Sequence, residues 1–141
     1  MSGFDRHDSV FSKNFMVLKL LSAAYVIGII VSHAALPAQH IWWIAAGFSI
    51  AMNFTYPWAA VRTGEFFTVE VAVSAALITM AVLGVVFSPL WVIASIFGHG
   101  LWDLFKHNGQ GVPFLKWYTL GCVSVDWTYA AALLLYFFTS I

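Results

Sequence analysis

A chain of 141 residues with 62% apolar and only 9% charged side chains carries more hydrocarbon than a soluble domain of its size hides from water, so lipid is the expected solvent for most of its surface. Six basic and six acidic residues cancel, which leaves no basic excess for nucleic acid. One cysteine, Cys122, excludes a disulfide framework and a cysteine-rich metal site.

In chain order, Phe4, Phe11 and Phe15 fall on roughly one helical face among charged residues, which suits either a short helix on the membrane interface (residues 1–14) or an unstructured tail. Five apolar runs follow, at about 15–36, 41–61, 66–87, 90–105 and 114–139. The fourth is short for a bilayer and must continue toward His107 or meet a locally thinned membrane. Ser32-His33-Ala34 has the small residues of a signal-peptidase site, but the first run is expected to stay as a span. The breaks, around Pro37, at Arg62-Thr63-Gly64-Glu65, at Ser88-Pro89 and from Asn108 to Pro113, are built of residues that end helices. These features predict an all-α fold, a five-helix transmembrane bundle forming a single integral membrane domain over residues 1–141.

Orientation is read from the cations. Arg6, Lys13, Lys19, Arg62, Lys106 and Lys116 all fall in or beside alternate connections, whereas residues 37–40, 88–89 and the C-terminus carry no Lys or Arg. Cytoplasmic loops collect positive charge, so the N-terminus is expected in the cytoplasm and the C-terminus outside, in a multi-pass protein of the cell inner (plasma) membrane. Trp42, Trp43, Trp91, Tyr136 and Phe138 then sit at the outer interface, and Trp58, Trp102, Trp117 and Tyr118 at the inner one. An odd number of spans without matching broken helices argues against a transporter made of inverted halves.

Within lipid a polar stripe marks the side of a helix that faces its neighbours. Such stripes carry Ser22, Tyr25, Ser32 and His33; Ser49, Asn53 and Tyr56; Glu70 and Ser74; His99, Asp103 and His107; and Thr119, Cys122, Asp126 and Tyr129. Counted by helical rise, Glu70, Asn53, His99, Asp103 and Asp126 overlap in depth in the inner half of the bundle, while His33 and His40 lie toward the opposite face.

A carboxylate in a bilayer must be protonated, paired or bound to a cation, and Arg62, Lys106 and Lys116 are expected to be too shallow to neutralise three. Imidazole and carboxylate together are the donor set of zinc, iron or manganese. The expectation is a membrane-embedded metalloenzyme with His99, Asp103 and His107 as divalent-metal ligands and Glu70 and Asp126 as further ligands or general acid and base. Gly98 and Gly100 would let a helix or substrate approach His99, and the substrate would be a membrane lipid or lipophilic small molecule. Each residue also has a plainer reading: His99 bonded to a carbonyl, Asp103 paired with His107 or Lys106, Glu70 at a helix N-terminus, Asp126 protonated, Cys122 a packing residue.

The alternative functions are proton- or ion-coupled transport through the same carboxylates, or an accessory subunit of a larger membrane complex or homo-oligomer. No lysine lies at mid-bilayer for a retinal Schiff base, and His33 and His99 are at opposite depths, so neither retinal nor haem is expected.

The C-terminal quarter, with His99, Trp102, Asp103, His107, Pro113, Trp117, Tyr118, Cys122 and Asp126, resembles a group of small, uncharacterised bacterial polytopic membrane proteins. Their pattern is His-x-x-Trp-Asp-x-x-x-His, a Gly/Pro loop, Trp-Tyr, Cys and Asp. The resemblance implies a bacterial inner-membrane location and says nothing of reaction.

Overall fold

The computed structural model describes residues 15–140, which are helices and connections. Phe4, Phe11, Arg6 and Lys13, and with them the interfacial segment, lie outside the described residues. The helices are α1 (Phe15–Ala35), α2 (Ile41–Met52), α3 (Thr55–Thr63), α4 (Phe67–Val86), α5 (Leu90–His107) and α6 (Lys116–Thr139), with a 3-10 turn at Ala38–His40. Three of them, α1, α4 and α6, are long and apolar enough to cross a membrane.

Local chemistry sets the ends. Pro37 is extended (φ −59°, ψ 140°), and the residue before a proline is disfavoured in helix, so α1 stops just short of it. At the end of α3, Gly64 adopts φ 74° and its N–H bonds to the Ala60 carbonyl at 2.8 Å, a left-handed cap that costs glycine little.

The run 41–61 is not one helix. It breaks at Asn53-Phe54, because Pro57 has no N–H for the Asn53 carbonyl and its ring would collide with that carbonyl in a continuous helix. Asn53 completes the break by donating its side-chain amide to the Ser49 carbonyl at 2.7 Å. Pro57 then sits in the first turn of α3, where a missing N–H costs nothing.

Helix α5 is central. Val92, Ile96, His99, Asp103 and Lys106 are all buried at alternating steps of four and three, which makes one stripe of the helix. It packs on α4 and α6, and glycines permit the close approach. A Cβ on Gly98 would meet Leu77, and one on Gly100 would lie 2.7 Å from the Trp127 indole. At Gly84 an added Cβ would lie 2.5 Å from the Val92 backbone nitrogen, which cannot rotate away. Gly84→Ala is therefore expected to lower stability by about 1–3 kcal/mol, read as a lower thermal midpoint of the detergent-purified protein. An unchanged midpoint would mean that α4 and α5 slide apart freely there.

Polar side chains turn inward among apolar core clusters, and much of the surface is apolar. Ser49, Asn53, Glu70, Ser74, Thr119 and Asp126 are buried, while Met16, Leu20, Ile30, Val86 and Leu135 are exposed. Ser49 and Ser95 share a 2.7 Å hydrogen bond, and the Ser95 hydroxyl also lies 2.7 Å from the Leu77 carbonyl, which ties α2, α5 and α4 together. Helix α1 is the loosest element, with Leu18 its one buried residue.

Candidate metal or acid–base centre

His99 and Asp103 stand one turn apart on α5, and Asp126 reaches them from α6. His99 Nδ1 lies 2.8 Å from Asp126 Oδ2 and 3.2 Å from Asp103 Oδ2, so a single ring nitrogen is shared between two carboxylates. The Tyr56 hydroxyl, from α3, donates to the other oxygen of Asp103, and its ring lies parallel to the imidazole at 6.0 Å. All four side chains are buried. One ligand atom from each of His99, Asp103 and Asp126 lies within 4.8 Å of the others, so the three could hold a metal ion. His99 Nε2 is buried without a hydrogen-bond partner among the described residues.

Beside this cluster is a cavity of about 680 Å³, bounded by α1, the α2–α3 break and α6. Its wall is mainly apolar and aromatic, and His99 and Asp126 form part of it. A volume of this size is that of a small-molecule site.

Two of the residues expected at the centre are elsewhere. Glu70 is completely buried but fully engaged: it pairs with Lys106, accepts the Val112 N–H at 2.8 Å and accepts the Trp102 indole N–H at 3.0 Å. It seats the α5–α6 connection against α4, and the cluster of ligand atoms does not include it. His107 is turned to α6, with Nδ1 3.3 Å from the Thr119 hydroxyl. Each step of four residues overshoots a helical turn by about 40°, so by His107 the stripe has rotated about 80° from His99.

Lys106 corrects the sequence reading in the other direction. At seven residues from His99 it returns almost to the same line of the helix, and it is buried (4% exposed) rather than interfacial. Its ammonium lies 4.8 Å from the centres of both the Tyr56 and Trp102 rings as well as pairing with Glu70. The i+7 spacing is the available signal for Lys106. For Tyr56 the signal is its place in a polar stripe one helix away.

One turn beyond Asp126 on α6, His33 Nε2 meets the Tyr129 hydroxyl at 2.5 Å, so His33 docks α1 on α6 and is not among the clustered ligand atoms. No family model matches this chain, and no curated protein and no solved structure is similar to it.

Proposed function

We propose that this chain is a membrane-embedded metalloenzyme acting on a lipophilic molecule, with His99, Asp103 and Asp126 as the metal ligands. The observation that carries the reading is the convergence of one imidazole and two carboxylates, from two helices, beside an apolar cavity. Charge favours it. Two carboxylates and a neutral imidazole balance a divalent cation, whereas the same carboxylates with a protonated imidazole leave one net negative charge in a poorly solvated place. Three protein ligands also leave coordination positions for water or substrate, as catalytic sites require. A bound divalent ion would polarise a substrate oxygen or supply an activated water. Tyr56, bonded to Asp103, has the role of an outer-shell group that holds a ligand in orientation.

The membrane setting of the proposal is five crossings, with α2 and α3 together making one and α5 another, the N-terminus cytoplasmic and the basic loops on that side. Lys19 and Lys116 near the starts of α1 and α6 and Arg62 near the end of α3, positions that alternating helices would bring to one side, support it. A bacterial inner membrane follows from the resemblance of the C-terminal quarter.

The test is elemental analysis of the purified protein. About one zinc, iron or manganese per chain is expected, with affinity that rises with pH, since the proton on His99 and the metal compete for the same atoms. Absence of stoichiometric metal from protein purified without chelator ends the metal reading. A second reading, proton transfer by His99 oriented by Asp126, is favoured by the unpartnered Nε2. It predicts proton flux in proteoliposomes that falls when Asp126→Asn is made, and a metal-free protein without such flux would end it as well.

A further inference from the structure

We propose, resting on the reading that the cavity holds the lipophilic substrate, that this substrate is a single-chain carboxylate whose headgroup is bound by Arg62. The cavity has a direction. Arg62 and Trp58 near the end of α3 and Trp117 at the start of α6 mark its one end, and Tyr25 and Asp126 its other. Phe15, the first residue of α1, stacks edge-on against Trp117 at 5.6 Å, so the starts of α1 and α6 close on the same end as Arg62.

Arg62 is exposed and its guanidinium lies 5.7 Å from the centre of the Trp58 ring, with no carboxylate at ion-pair distance among the described residues. A guanidinium fork over an aromatic face, on the wall of an apolar cavity, is suited to a planar anion attached to hydrocarbon. Shape selects among anions: the planar guanidinium fork matches a planar carboxylate with two parallel bonds. Lys19, whose ammonium lies 4.4 Å from the centre of the Phe15 ring, and Lys116, next to Trp117, add positive charge at this end but no such fork.

The arrangement also says which part of the ligand meets the buried cluster. Tyr56 touches Asp103, and Arg62 lies six residues farther along α3, or about 9 Å of helix. With its carboxylate at Arg62, the ligand offers His99 and Asp126 a position along its chain rather than its headgroup. Gly121 lines the same cavity, and a Cβ there would meet nothing within 4 Å, so the space beside it is open for chain atoms.

Tryptophan fluorescence of the purified full chain, with Trp58 and Trp117 as reporters, is titrated with hexadecanoate, hexadecanol and hexadecyl phosphate at a pH where the acid is ionised. Hexadecanoate is expected to bind at least about tenfold more tightly than the alcohol, and Arg62→Gln to abolish that preference while leaving the alcohol unchanged. Gly121→Phe, which fills the cavity, is expected to weaken both. Asp126→Asn is expected to keep the acid preference. Equal affinity for acid and alcohol, a preference that survives Arg62→Gln, a preference lost in Asp126→Asn, or tighter binding of the phosphate would each overturn the proposal. Metal content is measured independently of these titrations, so a wrong ligand class and a wrong metal site give different results.

Discussion

Replacing Lys106 by methionine is expected to lower the stability of the protein by about 3–5 kcal/mol, because it leaves Glu70 ionised and completely buried with two N–H donors and no cation. Both members of this pair are out of solvent, so neither can be rescued by water when the other is removed. Glu70→Gln is expected to cost a similar amount by stranding Lys106. The double variant, in which the new side-chain amide oxygen can still accept the Val112 N–H, should recover most of the loss, since two neutral groups of similar shape carry no desolvated charge. Thermal unfolding of the four proteins in detergent completes the cycle; losses that simply add would show that the two charges do not interact. The same double variant separates structure from chemistry at Glu70. Its metal content should equal that of the wild type, in contrast to the ligand role that residue type and depth suggest.

The second large effect concerns the cluster itself. His99→Ala and Asp126→Ala should each abolish stoichiometric metal, since a site with two protein ligands is not a stable one for these ions. Tyr56→Phe should weaken metal binding by about 10- to 100-fold while leaving its stoichiometry intact at saturation, the signature of losing an outer-shell hydrogen bond rather than a ligand. His107→Gln should leave binding unchanged, because His107 faces Thr119 and not the cluster. Isothermal titration with zinc distinguishes these outcomes. A Tyr56→Phe protein that binds as tightly as wild type would remove Tyr56 from the site, and loss of metal in His107→Gln would restore the ligand set drawn from helical spacing alone.

His99, Asp103 and Asp126 are legible as a group because lipid leaves an ionisable side chain few places to go, and their depths along their helices overlap. The break at Asn53 is legible too, in Pro57, but it is masked by the even hydropathy of the surrounding run. Glu70 and His107 mislead for a different reason. Depth and residue type are the same for a metal ligand and for a buried partner of lysine, and only the neighbour distinguishes them.

By itself, the sequence determined that the chain is helical and rich in hydrocarbon, where most of its helices end, and which polar residues turn inward, but it read five spans where three of the described helices are long and apolar enough to cross a membrane. Those are consequences of local chemistry: hydrocarbon content, the backbone limits of proline and glycine, and the cost of a bare charge. Tertiary structure decided which inward residues meet. A helix rotates about 100° per residue, so whether His107 or Lys106 shares the line of His99 is fixed geometrically, but what each one touches depends on how closely its neighbours approach. Gly100 lets α6 bring Asp126 against His99, and the connection after α5 lays the Val112 N–H on Glu70. These two packing events separate His99, Asp103 and Asp126, a cluster able to hold a metal, from the Glu70–Lys106 lock that holds the bundle together.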